Sequence, residues 1–428
     1  MTTDLSNNGG TSWQPILLRN VPLPNSAQIQ TYLDGGGYQA AKLAFKELTP
    51  GQLIDMVKQS KLRGRGGAGF PTGVKWGFMP KDPGITKYVV VNADEGEPGT
   101  FKDRPLLEED PHQVLEGAII AAYAVGAHQA FIYIRGEFSL AAQRWTEAIA
   151  EAHEHGFLGK DILGTGFDLD FTVQRGAGAY ICGEETALIE SLEGKTGHPR
   201  FKPPYPAQVG VGGQPTLVQN VETLANVPHI ILNGPEWFAS IGTAESTGPK
   251  IFSVSGHVNQ PGNYELPLGT TLREIIYEHA GGVRNGRAIK AVLPGGTSTR
   301  MLPGDRIDVP MAFETLVEAG SALGTGGIIV MDETTDIVEV TRRITSFYVH
   351  ESCGSCAPCR VGGVQMLEVL TRFARREATV EDMDRLHRLV QGIYSATLCP
   401  LGTGMCEPVA SAIEHFPAEF EARVRKHA

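Results

Sequence analysis

Three cysteines stand within seven residues, at Cys353, Cys356 and Cys359, and no other feature of this 428-residue chain narrows its fold as much. Thiolates separated by two two-residue gaps on a tight turn converge on three corners of a metal–sulfur cube. A fourth ligand has to come from elsewhere. Cys399 is the favoured candidate, because Pro400 follows it as proline follows the last cysteine of many ferredoxin runs. Four such thiolates meet the requirement of a [4Fe–4S] cluster. Structural zinc normally uses paired Cys-x-x-Cys knuckles, not a triple, and packing alone does not account for three cysteines so close together. Cys406 lies seven residues beyond Cys399 and remains an alternative ligand. Cys182 reads as a small apolar residue in a glycine-rich loop.

The formal net charge of -11 opposes binding to nucleic acid or to an anionic lipid surface, so neither is an expected partner. An anionic ligand has to find a local basic pocket. Residues 1–13 are polar and lack the apolar core of a signal peptide. The most apolar stretch, 117–134, is broken by Gly126, His128 and Gln129, and reads as a buried helix followed by a strand rather than a membrane span. A soluble, cytoplasmic protein without a disulfide framework is expected.

Along the chain the first 45 residues are punctuated by Gly and Pro and read as a wrapping arm. Thr49 and Pro50 open a helix carrying Leu53, Ile54, Val57 and Leu62 at helical spacing. Strands over 87–91, 130–135 and 167–174 alternate with helices over 111–125, 140–153 and 184–193, which implies a mostly parallel α/β sheet up to about residue 233. After a glycine-bounded linker at 242–248, a hairpin (251–258 and 264–266), a short helix (272–280) and a strand (288–293) make a β-grasp-like module. From Asp336 the chain turns helical, with helices over 361–375, 380–395 and 407–425. The expected domains are 1–240, 249–330 and 335–428.

The 52 glycines exceed an average usage of about 7% and gather in loops, which suggests close backbone approach to ligands. Residues 64–69 (Gly-Arg-Gly-Gly-Ala-Gly) satisfy G-x-G-x-x-G, yet they follow a helix, and Pro71 comes directly after Phe70. They therefore read as a ligand-cradling loop and not as a standard dinucleotide fingerprint. Arg65 and Lys75 would offset phosphate charge, and Phe70, Trp76 and Phe78 offer rings for stacking. Asn92, Asp94, Glu95 and Glu97 sit in a polar loop at the end of a buried strand, where α/β sheets bind ligands. The loop 176–186, with Tyr180, Gly183, Glu184 and Glu185, joins a strand to a helix N-terminus and repeats that logic. Lys202 and Tyr205 are expected to line the same cleft, with Asn220 and Thr223 as further phosphate donors.

Together these motifs (64–76, 92–104, 176–187, 202–223 and 351–360) resemble the NADH-oxidising flavoprotein subunits of respiratory complex I (NADH:quinone oxidoreductase, F type), over about residues 62–407. The resemblance implies a Rossmann-like FMN domain, a small soluble-ligand-binding β-grasp (SLBB-like) domain and a C-terminal all-α bundle carrying a [4Fe–4S] cluster. It places FMN among Gly64, Arg65, Gly66, Lys75, Asn92, Asp94, Glu95, Tyr180, Gly183, Glu184, Asn220 and Thr223. NADH is implied near Gly67, Ala68, Phe70, Phe78, Glu97, Glu185, Lys202 and Tyr205, and the cluster on Cys353, Cys356, Cys359 and Cys399. The implied chemistry is hydride transfer from nicotinamide to flavin, then single electrons to the cluster and toward quinone, with no side-chain acid or base nominated. The implied partners are a thioredoxin-like [2Fe–2S] subunit and a larger iron–sulfur subunit, in the peripheral arm of a complex on the inner face of the plasma membrane.

This chain departs from the family pattern at Tyr205, where Phe is more usual, at Gly77, where Ser is common, and at Ser355, where Lys is frequent. The same module serves NAD-linked hydrogenases and formate dehydrogenases, often with extra fused domains for which this chain has no room. A non-catalytic iron–sulfur scaffold is a third reading, and it predicts no flavin.

Overall fold

The computed structural model describes residues 13–425; the polar start of the chain, 1–12, lies outside the described residues. Four strands, β1 (Tyr88–Ala93), β2 (Gln129–Ile134), β3 (Asp170–Arg175) and β4 (Thr216–Asn220), form an all-parallel sheet in the order β3-β2-β1-β4. The three valines after Tyr88 in β1 are β-branched and buried, as a strand covered on both faces requires. The helix Pro111–Val125 covers one face. Proline pre-sets its first turn, and Gly126 ends it in the left-handed region at φ 71°. That helix and β2 account for the apolar stretch 117–134. Among the described residues no helix is long and apolar enough to cross a membrane.

The helix Pro50–Gln59 starts at a capping box in which Thr49 and Gln52 satisfy each other's backbone N–H groups. The wrapping arm is more structured than its glycines and prolines imply. It carries the helices Ile29–Asp34 and Gln39–Glu47. A buried Glu116 carboxylate accepts the backbone N–H groups of Tyr38 and Ala41, both at 2.9 Å, together with the Tyr32 hydroxyl. Further upstream the buried Glu265 accepts the N–H groups of Ile16, Leu17 and Leu18 at 2.8, 2.9 and 2.8 Å.

The second sheet has five strands: β5 (Pro249–Gly256), β6 (Gly262–Pro267), β7 (Ile289–Leu293), β8 (Leu302–Pro303) and β9 (Gly327–Asp332), ordered β6-β5-β9-β7-β8. The hairpin β5–β6 matches expectation. The central strand β9 was not legible, because it pairs parallel with β5 from about 70 residues away. Beyond it the helices Ile337–Glu351, Gly363–Ala374, Val380–Ala396 and Pro400–His415 form the bundle. The expected helix over 407–425 is corrected. It begins at Pro400, where proline occupies the first helical position directly after Cys399, and it gives way to a short separate helix, Pro417–Glu421.

Candidate active site: a cleft where the three domains meet

Moving outward from β1, the chain runs through β2 and β3 on one side and returns with β4 on the other. The carboxyl ends of β1 and β4 therefore flank the point where strand order reverses, the place at which open α/β sheets bind ligands. Asn92 and Asn220 are register partners there. A cleft of about 420 Å³ opens above them, a size suited to a cofactor.

The first wall comes from the glycine loop and the acidic loop. Gly66, Gly67 and Ala68 line it with Asn92, Asp94, Glu95 and Glu97. A Cβ built on Gly66 would stand 3.1 Å from the Asn220 Cβ, so glycine is what lets the loop approach. The Asn92 amide donates to the Gly183 carbonyl at 2.9 Å and ties the two glycine-rich segments together. Tyr180, Gly183 and Glu184 continue the wall, and Glu184 caps the helix Glu185–Leu192 by accepting Thr186 and Ala187 N–H at 2.9 and 3.1 Å.

The acids differ in their supports. Glu95 accepts the N–H groups of Asp103 and Arg104 at 2.8 and 3.2 Å, and burial pushes its pKa up to about 7. Burial does the same to Asp94, also to about 7, and its Oδ1 is buried without a hydrogen-bond partner among the described residues. Glu97 accepts from the Tyr180 hydroxyl at 2.6 Å, from Ser298 N–H at 2.7 Å and, more weakly, from Thr297 and Tyr348 hydroxyls at 3.4 and 3.5 Å. Next to the wall residue Glu184, Glu185 pairs with Lys75 at 2.8 Å and Lys202 at 2.9 Å. Burial opposes its charge, but the two ammoniums win and bring its pKa to about 2. Phe70, Phe78 and Tyr205 are 47%, 59% and 54% exposed, and like Glu185 and Lys202 they are not on the cleft wall.

Several expected residues stand elsewhere. Gly64, Arg65, Lys75 and Thr223 are not on the cleft wall. Gly64 N–H is engaged by the Phe70 carbonyl at 2.9 Å. Arg65 is buried and turns away to donate to the carbonyls of Thr247 and Pro249, at 2.6 and 3.1 Å, while its own N–H reaches the buried Thr223 hydroxyl at 2.8 Å. Its guanidinium therefore braces the linker to the second sheet. Trp76 is fully buried in the core and offers no face to a ligand.

The second and third walls carried no sequence signal. Ser298, Thr299, Ala322, Gly324 and Thr325 arrive from loops of the second sheet, and Pro400, Leu401, Thr403, Gly404 and Glu407 from the bundle. Small residues in loops have no diagnostic spacing. Lys102 and Asp103 were inside the acidic loop but were not singled out, and both line the cleft. Lys102 Nζ sits 2.7 Å from Asp103 and 3.0 Å from Glu222, and Glu222 in turn holds Lys250 at 2.8 Å. Burial works against the Lys102 charge, but Asp103, Glu222 and Glu95 outweigh it and hold its pKa above the ordinary value.

The cysteines border this cleft. Pro400 and Leu401, on its wall, directly follow Cys399. Burial pushes the Cys399 thiol up to about 11, reinforced by the neighbouring charges of Cys353, Cys359 and Glu184. Cys353, Cys356 and Cys399 pack against the buried cluster that contains Cys359, which brings the four cysteines into one region at the cleft's edge. Cys406 is fully buried inside the helix Pro400–His415, its thiol pushed up to about 12, and Cys182 is buried beside Tyr133. Among the described residues, no group of three or more His, Cys, Asp or Glu side chains is already spaced to hold a metal ion.

A glycine-and-acid cleft at a sheet switch point, with an unpartnered carboxylate oxygen on its wall and a thiol group at its edge, fits a flavin beside an iron–sulfur centre. Family comparison defines the class. Residues 57–229 match the Nuo51 FMN-binding domain, 251–302 the SLBB domain, and 339–423 the NADH-ubiquinone oxidoreductase-F iron–sulfur binding region. The second NADH-quinone oxidoreductase F subunit of Rhizobium meliloti is 51% identical over 414 residues, covering 97% of this chain and 98% of that protein. The F subunit of Aquifex aeolicus is 49% identical over 413 residues, covering 96% of this chain and 95% of that one. A solved NAD+-reducing [NiFe]-hydrogenase in the H2-reduced state contains a chain superposing with a TM-score of 0.83 at 38% identity; 93% of this chain is covered, and it spans 66% of that chain's length. The chain belongs to the family of NADH-quinone oxidoreductase F subunits.

Proposed function

We infer that this chain is the NADH-oxidising, FMN- and [4Fe–4S]-carrying subunit of a multi-subunit NADH-quinone oxidoreductase. When bound, FMN supplies the step from a two-electron hydride donor to a one-electron acceptor. The observation that carries the reading is the direct succession of Cys399 and the cleft-lining Pro400 and Leu401, which puts the candidate cluster segment against the candidate cofactor wall.

The protein's own contribution is binding, orientation and electrostatics. FMN is assigned to Gly66, Asn92, Asp94, Glu95, Tyr180, Gly183, Glu184 and Asn220 on the wall, with Gly64, Arg65 and Thr223 packed off the wall and Lys75 beside Glu185. NADH is assigned to Gly67, Ala68 and Glu97 on the wall and to Phe70, Phe78, Glu185, Lys202 and Tyr205 outside it. The two lysines on Glu185 keep it ionised and able to accept ribose hydroxyls. Cys353, Cys356, Cys359 and Cys399 are assigned to the cluster. The division into 1–240, 249–330 and 335–428 is supported by the two separate sheets and the helical tail. A thioredoxin-like [2Fe–2S] subunit and a larger iron–sulfur subunit complete the electron route, in a peripheral arm on the cytoplasmic face of the membrane.

Purified chain should show flavin bands near ~450 nm, as flavoproteins do, and reduce ferricyanide with NADH. Protein that folds with its cluster but holds no flavin would return the scaffold reading. The likeness to a hydrogenase chain supports the shared chemistry, while 51% identity over 98% of a quinone-reductase relative favours quinone as the eventual acceptor. Loss of NADH-driven quinone reduction in membranes lacking this chain separates the two.

A further inference from the structure

The cleft wall poses an electrostatic problem. Six acidic side chains line it: Asp94, Glu95, Glu97, Asp103, Glu184 and Glu407. Lys102 is the one basic side chain among the described residues on that wall. FMN brings a phosphate, and its reduced ring carries further negative charge, so the acids alone would disfavour both binding and reduction. A buried charge acts through a low effective dielectric and is weakly screened, which makes a single internal cation count for more than a surface one.

Lys102 is also fixed. Its side chain is 1% exposed, and Nζ is held by Asp103 at 2.7 Å, by Glu222 at 3.0 Å and by the Asn220 side-chain oxygen at 3.4 Å. Glu222 is itself held by Lys250 Nζ and by Ile251 N–H, both at 2.8 Å and both from β5. The lysine that faces the cleft is thus braced by the second sheet, through a carboxylate that never reaches the cleft.

We propose that Lys102 is a positioning residue for the flavin chemistry, an internally fixed ammonium that biases the bound flavin toward its negatively charged reduced form. This rests on the proposed function, because it requires the flavin to occupy this cleft. Lys250 provides the control. It shares Glu222 and is equally buried, but it is not on the wall.

The test is a redox titration of the flavin absorbance in the full-length chain purified with its FMN and cluster. Lys102→Met should shift the ratio of reduced to oxidised flavin at least tenfold toward oxidised, about 30 mV for a two-electron couple. Lys102→Arg should stay within threefold of wild type. Asp103→Asn removes the nearest counter-charge and should move the midpoint the opposite way, which keeps the test available if Lys102→Met fails to fold with flavin. Lys250→Met should lower the melting temperature and move the midpoint less than Lys102→Met. An unmoved midpoint in Lys102→Met, a same-direction or absent shift in Asp103→Asn, or an equal shift in Lys250→Met each overturns the proposal. Wild-type protein that binds no flavin, or whose flavin NADH does not reduce, overturns the proposed function instead.

Discussion

Glu97 accepts the Ser298 backbone N–H at 2.7 Å, so a carboxylate just beyond the first strand of the flavin sheet is held by a loop of the SLBB domain. The same carboxylate takes the Tyr180 hydroxyl at 2.6 Å, and Tyr348 of the bundle lies at 3.5 Å. One side chain thus reports on the relative placement of all three parts of the molecule. A site assembled this way depends on domain packing as much as on the residues that touch the ligand.

Glu97→Gln should keep the Ser298 contact through its amide oxygen and lose the charge that accepts ribose hydroxyls. The expected result is an approximately tenfold higher KM for NADH, about 1.4 kcal/mol of binding, with kcat changed less. An unchanged KM removes Glu97 from the nucleotide site.

Cys399→Ser should abolish the cluster's broad visible absorbance and most of the bound iron. Cys406→Ser should retain both, because that thiol is fully buried inside a helix and lies among core side chains. Iron analysis of the two proteins checks the assignment, and the reverse pattern would transfer the fourth ligand to Cys406.

Gly66→Ala places a methyl 3.1 Å from the Asn220 Cβ, on the wall of the cleft. The loop has to retreat or Asn220 has to shift, and either loosens the site. FMN retention should fall by roughly tenfold, equivalent to about 1.4 kcal/mol, read as recovered fluorescence of released flavin on dilution.

Asp110 is fully buried, accepts the Asn20 amide at 2.9 Å, and is pushed up to about 7 by burial. A carboxyl raised in the folded state binds its proton more tightly there than in the unfolded chain. Its contribution therefore declines as pH climbs from the unfolded value of about 4 to about 7, and stays low above that. Asp110→Asn cannot ionise and keeps an oxygen for Asn20. It should raise the melting temperature at pH 8, by the equivalent of on the order of 2 kcal/mol, and be near neutral at pH 5. Melting curves at both pH values decide it.

The wall formed by the glycine loop and the acidic loop was legible because its residues break ordinary rules. Glycines crowd at 64–69, and Asp94, Glu95 and Glu97 repel one another in four residues, so each pattern asks for a ligand. The strands β1 to β3 were legible from their apolar runs. The walls built by Ser298, Thr325 and Thr403 were not, since small polar residues in loops look the same whether they face a cofactor or water. Arg65 shows a position that spacing alone does not give. An arginine between glycines suggests a phosphate ligand, but one of its terminal nitrogens is taken by the carbonyls of Thr247 and Pro249, and the side chain is not on the cleft wall. The helix after Cys399 was placed late because Gly402 and Gly404 weaken helical propensity, although Pro400 at its first position was a usable signal.

The arm strapped down by Glu265 bears on how the chain is made. Residues 16–18 leave the ribosome well before the carboxylate that receives their N–H groups, which lies 249, 248 and 247 positions further along. This segment is therefore kept waiting while the flavin domain folds behind it, since domains fold as units in order of emergence. It can close only after the SLBB hairpin has appeared. The arm becomes a late fastening, drawn across two domains once both exist.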